Sequence, residues 1–254
     1  MATRIDETRF QAAAEAQRPA LQELTQQPRL FALVRDEPPV EQAPQVPLSF
    51  DAGARLRQRA LDITVALMCL LVVWPLLLVG ALLVIASGPG PIIYSHRRLG
   101  RDGEAFGCLK LRTMRSDADK ILQELLRSSP ELMAEWVADR KLRNDPRITR
   151  IGHFLRRYSL DELPQIFNVL RGEMSIVGPR PLATDEAPHY GASYGLCFSV
   201  NPGITGLWQV SGRNDVSYER RVELDCQYAK ARSLKIDLWI MVRTIPVVFG
   251  GTGR

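Results

Sequence analysis

From Ile63 to Ala86 the chain reads ITVALMCLLVVWPLLLVGALLVIA, a run without a single charge, and no other feature limits its possible folds as tightly. In lipid the backbone must satisfy its own polar groups, so a run of this kind is helical. Its length meets the criterion for a membrane helix, and it begins too far along the chain to be a signal peptide. Two features oppose a simple crossing. Arg55, Arg57 and Arg59 precede the run and Arg97, Arg98 and Arg101 follow it, whereas a spanning helix is oriented by an asymmetry of basic residues. Pro75 also falls mid-run, where it removes a backbone hydrogen bond and bends the helix. The result is two legs of about twelve residues, each roughly 18 Å long, which reach about half-way through a hydrocarbon core of roughly 30 Å. The expectation is a re-entrant helix kinked at Pro75, with both flanks on the cytoplasmic side.

The rest of the chain divides around this segment. Residues 1–50 are poor in large apolar side chains and hold five prolines between Pro28 and Pro47, a composition expected to give a mostly disordered tail. Residues 51–91 form the basic flank and membrane helix, and residues 92–254 a cytoplasmic catalytic domain. The tail holds 5 Lys/Arg against 7 Asp/Glu, and the remainder 28 against 21, leaving the body at +7. A basic body suits phosphate-bearing partners. Nucleic acid is not expected among them, because no recognition motif is present. Cys69, Cys108, Cys197 and Cys226 are scattered without C-x-x-C spacing, which suggests neither a disulfide framework nor a structural metal.

After the turn SGPGP (87–91), the pattern predicts a short strand, a Gly-containing loop and a second strand, with Lys110, Arg112 and Arg115 just beyond it. Helical periodicity follows over 117–127 and 130–140. The most informative stretch is SLDELPQIFNVLRGEMSIVGPRP, residues 159–181. Ser159 and Glu162 have the spacing of a capping box, which predicts a helix starting at the acidic pair Asp161–Glu162. That helix is expected to end near Arg171, with Gly172 as its left-handed cap, before a short strand. Pro179 and Pro181 then restrict the backbone around Arg180, so that its guanidinium can be presented for bidentate phosphate contact with little entropy loss. Arg156 and Arg157 add positive charge just before the acids. A carboxylate beside arginines stays ionised and can approach a phosphate, and those are the conditions for a carboxylate nucleophile.

With these residues assembled, the chain from about Arg57 to Phe249 resembles the monotopic phosphoglycosyl transferases, the bacterial sugar transferases that initiate surface-polysaccharide synthesis. The resemblance rests on the proline-broken segment 61–86, FGCLKLRTM (106–114), RRYSLDELPQIFNVLRGEMSIVGPRPL (156–182) and NPGITGLWQVSGRN (201–214). It implies a mixed α/β, membrane-associated fold: a single re-entrant membrane helix plus a cytoplasmic catalytic domain with short strands and interfacial helices. One of these is expected at 234–249, with core packing as the alternative. The chain is similar to the small, exopolysaccharide-production type, on the bacterial inner membrane. The implied reaction transfers a sugar-1-phosphate from a UDP-sugar to undecaprenyl phosphate with release of UMP, with Mg2+ as cofactor. Asp161 would be the nucleophile of a covalent phosphosugar intermediate, and Glu162 would manage protons or, with Asp161, hold the metal. Lys110, Arg112, Arg156, Pro179, Arg180, Pro181, Arg213 and Asn214 would form the phosphate and donor sites. Inner-membrane lipids and downstream glycosyltransferases are the implied partners. Trp74 and His96 depart from the family pattern, which often has serine and glutamine there. The rival expectation is a non-catalytic, membrane-anchored lipid- or nucleotide-binding module that recruits polysaccharide-assembly proteins.

Overall fold

The structure, a computed structural model, describes residues 52–139, 142–212 and 216–249. The tail expected over residues 1–50 lies outside them. The fold is a mixture of helices and short strands, in two units that are taken separately.

The larger unit begins with α1, Ala52–Ala86. The two expected legs are one continuous 35-residue helix with Pro75 inside it. Continuity is physically possible because proline lacks only its own N–H and the rest of the backbone ladder persists around it. Its early turns are tied down by polar contacts. Arg59 donates to the carbonyl oxygens of Val169 and of Leu170, the latter at 2.7 Å. Buried Asp62 accepts from Ser175 Oγ at 2.8 Å and Ile176 N at 2.9 Å. Ala66 is fully buried in a cluster with Cys108, Ile166, Val169 and Met174. Near the other end, Val84 is buried with Leu111 and Leu155. Between these anchors Leu67, Met68, Leu71, Val72, Trp74, Leu76, Leu78, Val79 and Leu82 are exposed, as is Ile85 just after them.

The predicted pair of strands follows as an antiparallel hairpin of β1 (Ile93–Leu99) and β2 (Ala105–Leu111), joined through a short 3-10 turn at Arg101–Gly103. Lys110 lies within β2, not beyond it, because the hairpin register pairs it with Tyr94. After the basic segment come α4 (Arg150–Arg157), a 3-10 turn Leu160–Glu162, α5 (Gln165–Arg171) and β3 (Ser175–Val177). As expected, α5 ends at Arg171 with Gly172 in the left-handed region, φ 87°. β3 pairs in parallel with β4 (Gly203–Thr205). A side chain on Gly203 would bring its Cβ within 2.0 Å of Gly178 N, so this approach admits only glycine. Between them lies a 3-10 run Thr184–Ser193 leading into α6 (Tyr194–Cys197). Ala187, Tyr190, Tyr194 and Phe198 from it fill the core with Leu99 and Leu182.

The unit closes with α7 (Leu207–Val210), α8 (Tyr218–Ala231) and α9 (Leu234–Phe249). Tyr228 OH donates within hydrogen-bond reach of both Val177 O (2.9 Å) and Asp237 Oδ1 (2.8 Å), locking α8, α9 and β3 together. α9 has two faces, and core packing accounts for one of them. Ile240 and Asp237 are fully buried, while Leu234, Leu238, Trp239, Val242 and Ile245 are exposed.

The smaller unit holds α2 (Ala118–Ser128) and α3 (Pro130–Asp139), close to the two helices expected there. Within it Arg147 forms a bidentate pair with Asp145, at 2.8 and 2.6 Å, and lies over the Trp136 ring.

Candidate active site

The acidic pair is presented by a tighter device than a capping box. Ser159 takes left-handed backbone angles, φ 56° and ψ 23°, and its side chain caps nothing; the chain then makes the 3-10 turn Leu160–Glu162. An N-cap requires extended angles, so the left-handed residue rules the box out. Pro164, which has no N–H to give, then separates the turn from α5. Glu162 is drawn elsewhere: Lys110 Nζ lies 2.7 Å from its Oε1. Asp161, beside it, is buried, at 7% exposure.

Lys110 is placed by a residue that sequence reasoning missed. Asn168, fully buried in α5, accepts from Leu109 N at 3.0 Å and donates to Gly107 O at 2.8 Å and Glu173 Oε2 at 2.7 Å. One amide thus fixes α5 against β2 at the step that aims Lys110 at the acids. Burial raises the Asp161 carboxyl above its ordinary value; Lys110 opposes this, Glu162 adds to it and Arg156 opposes it.

Lys110, Glu162, Arg180 and Pro181 line one cleft. Arg98, Cys108, Gln165, Gly203, Ile204 and Gln209 complete it. Asp161, Arg112, Arg156 and Pro179 are not among its lining residues. Arg112 is buried and donates to Val84 O at 3.0 Å, Gly88 O at 2.6 Å and Pro89 O, so its donors serve the end of α1 and the turn after it. Arg156 Nε donates to Thr113 Oγ1 at 2.9 Å, and its charge acts on Asp161. Pro179 contributes its carbonyl to Gly203 N at 2.8 Å. Arg213 and Asn214 lie outside the described residues.

Arg98 is the unexpected wall residue. It ion-pairs with Glu186 at 3.4 Å, and its Nη2 lies 3.3 Å from His96 Nδ1. Burial, then the charges of Arg98 and Lys110, lower His96 to about 4, leaving a neutral ring that can accept from Arg98. Burial works against the Glu186 carboxylate, but Arg180, Arg221 and Arg98 together hold it below its ordinary value. Behind them, Tyr190 OH donates to Asp225 at 2.8 Å; burial pushes that carboxyl up to about 7 against this hydrogen bond and the charges of Arg221 and Arg180. A strand signal was available: His96 and Arg98, two apart on β1, share a hairpin face with Cys108 and Lys110 on β2.

Two carboxylates can serve a divalent cation that keeps other ligands for substrate phosphate, which is how Mg2+ binds in phosphate-handling sites. Asp161 and Glu162 fit that mode as adjacent hard oxygen donors. Among the described residues no group of three or more potential metal ligands is found.

Comparison with known proteins gives the family of the chain. The sequence pattern of the family described as bacterial sugar transferase matches residues 53–251. The chain is 50% identical over 201 residues to the UDP-galactose-lipid carrier transferase of Erwinia amylovora, covering 79% of this chain and 42% of that one. It is 48% identical to the exopolysaccharide production protein ExoY of Sinorhizobium fredii, covering 76% of this chain and 85% of the relative. It is 46% identical to the undecaprenyl-phosphate galactose phosphotransferase of Salmonella typhimurium, over 79% and 42%. The chain therefore spans less than half of two of these relatives and most of the third.

Proposed function

The chain belongs to the bacterial sugar transferase family, and from that premise we propose that it transfers a sugar-1-phosphate from a UDP-sugar to undecaprenyl phosphate and releases UMP. The observation that carries the reading is the cleft itself. Lys110, its partner Glu162, Arg98 and Arg180 line it, and buried Asp161 is the residue next to that glutamate in the chain. The names of two relatives, a UDP-galactose-lipid carrier transferase and an undecaprenyl-phosphate galactose phosphotransferase, supply the substrate classes.

In the proposed reaction an Asp161 carboxylate oxygen attacks the sugar-bearing phosphorus. An Asp161–O–P bond forms as the bond to the UMP oxygen breaks, and UMP leaves with that electron pair. A phosphate oxygen of undecaprenyl phosphate then attacks the same phosphorus, the aspartyl bond breaks and the free carboxylate returns. Burial keeps water from the acyl phosphate, and Lys110 offsets the repulsion between carboxylate and phosphate. Mg2+, held by Asp161 and Glu162, would neutralise phosphate charge during attack.

The membrane reading is supported by the two ends of α1. Ala66 and Val84 would stand about 27 Å apart along a straight helix, close to the hydrocarbon thickness. Yet they pack in clusters with Cys108 and Leu111 of one strand, residues about 10 Å apart. Both legs therefore meet the same polar body, as a helix that enters and leaves by one face would. The exposed apolar side chains between them, with those of α9, suit a site at head-group level that receives a lipid phosphate and a soluble nucleotide.

The test is UMP release from a panel of UDP-sugars with undecaprenyl phosphate and magnesium. Release should be abolished in Asp161→Asn and a phosphosugar-modified peptide containing Asp161 should be trapped during wild-type turnover. Turnover that persists in the variant would remove the nucleophile assignment.

A further inference from the structure

The cleft has two cationic poles. One is Lys110, engaged with Glu162 and acting on Asp161. The other is Arg98 with Arg180, close enough that the charge of Arg180 disfavours the Arg98 cation, after burial. A donor with two linked phosphates has one negative group for each pole. Resting on the sugar-nucleotide reading above, we propose that Arg98 and Arg180 grip the nucleotide-side phosphate, the one that departs as UMP, while the sugar-side phosphate lies against Lys110 and Asp161. Glu186 is the positioning carboxylate that holds this second pole together.

Four observations carry the assignment. The Arg98–Glu186 contact of 3.4 Å is longer than a committed charge-assisted hydrogen bond, about 2.7–2.9 Å, so Arg98 keeps donors for a phosphate. Glu186 is itself fixed, accepting from Ala183 N at 3.1 Å, and does not follow the arginines if they turn. The arginines are held by carboxylates on more than one side: Arg98, Arg180 and Arg221 act on Glu186, Asp185 acts on Arg98, and Asp225, with its carboxyl near 7, adds to them only in part. The guanidinium groups of Arg180 and Arg221 also lie over the buried Trp208 ring, at 5.9 and 5.1 Å, which restricts their orientation before any ligand arrives. Arg221 has two buried nitrogens, Nε and Nη2, without a hydrogen-bond partner among the described residues, and it does not line the cleft; it acts on the pole through Arg180 and Trp208.

The chemistry gives this polarity a purpose. As the phosphorus–oxygen bond breaks, negative charge grows on the departing UMP oxygens. Preoriented guanidinium groups stabilise that charge where it develops. With the donor reversed, the arginines would sit on the phosphate that stays bonded to the sugar, and the leaving group would meet Lys110, a single cation already paired with Glu162.

The experiment is calorimetric titration of the full chain in detergent with UMP and with uridine, in magnesium. The phosphate contribution is the ratio of the two affinities, and uridine binding reports that each variant is folded. Arg98→Met should weaken UMP by about tenfold while leaving uridine unchanged, so that the ratio collapses, and Arg98→Lys should fall between. Lys110→Met should keep the wild-type ratio. An unchanged ratio in Arg98→Met, or a collapse in Lys110→Met alone, would overturn the proposed polarity. A wild-type chain that binds neither UMP nor uridine would instead remove the nucleotide-sugar reading, and this inference with it.

Discussion

Lys110 is the residue on which Asp161, the proposed nucleophile, most depends for its charge. Burial favours protonated Asp161, and the adjacent Glu162 pushes the same way; Lys110 is the largest opposing influence. A protonated aspartate cannot attack, so the acid limb of kcat/KM should lie above the ordinary aspartate value of 3.8. The sign of the Lys110 effect then follows. Removing a cation that lowers the Asp161 pKa raises it further, so in Lys110→Met the acid limb moves to higher pH, and in Lys110→Arg it stays near the wild-type position. A pH–rate profile of residual activity checks this, and a limb that moved to lower pH in Lys110→Met would show that lysine is not what keeps Asp161 ionised. Asp161, Glu162, Lys110 and Arg180 were legible because their residue types and motif positions declare phosphate chemistry. Arg98 and Glu186 were not: one reads as a flanking basic residue and the other as part of an unassigned loop, and only the pairing of β1 with the chain around Leu182 brings them together.

At the level of elements, what the sequence shows well is hydrophobic periodicity and glycine or proline punctuation. This is why α1, the hairpin, α2, α3 and the Gly172 end of α5 could be anticipated. What it hid is a competition. The S-x-x-E pattern at Ser159 has the chemistry of a capping box, but Lys110 from a strand about fifty residues away takes the glutamate, and Ser159 turns left-handed. Local propensity loses to a long-range ion pair, a contact that no window of sequence contains. The same holds for Arg112, which reads as a phosphate ligand and serves instead as a clamp on the end of α1. Asn168 is the element-scale counterpart of Lys110, since it sets the register of α5 on β2. Asn168→Ala leaves the Leu109 N–H and the Gly107 carbonyl without their partner. Each buried group so abandoned costs about 1–3 kcal/mol, so the thermal midpoint should fall by several degrees in detergent. Activity should fall more than the loss of folded protein explains, because Lys110 loses its aim. Full activity per folded molecule would show that the β2 register is set by the hairpin alone.

For the molecule as a whole, the proposed reaction asks how a basic body meets a lipid substrate. The anchors at Arg59, Asp62 and Ala66 on one leg of α1, and at Val84 on the other, bind both legs to a body rich in charge. A polar body cannot follow either leg into hydrocarbon, where each unsatisfied polar group is costly. In the proposed re-entrant topology the helix exposes its apolar middle, around Trp74 and Pro75, to lipid from one side. The exposed stripe of α9, Leu238, Trp239, Val242 and Ile245, adds a second apolar surface on the same unit. Arginines on both flanks of α1 agree with this topology, since neither end has to cross. In a chain freed of its native cysteines, Arg55→Cys and Arg101→Cys, both exposed, should react with a membrane-impermeant maleimide from the same side of sealed inverted vesicles. Right-side-out vesicles should protect both until they are permeabilised. Labelling of one position from each side would mean that α1 crosses the bilayer, and the packing of Ala66 and Val84 on one body would then have to be broken in the membrane.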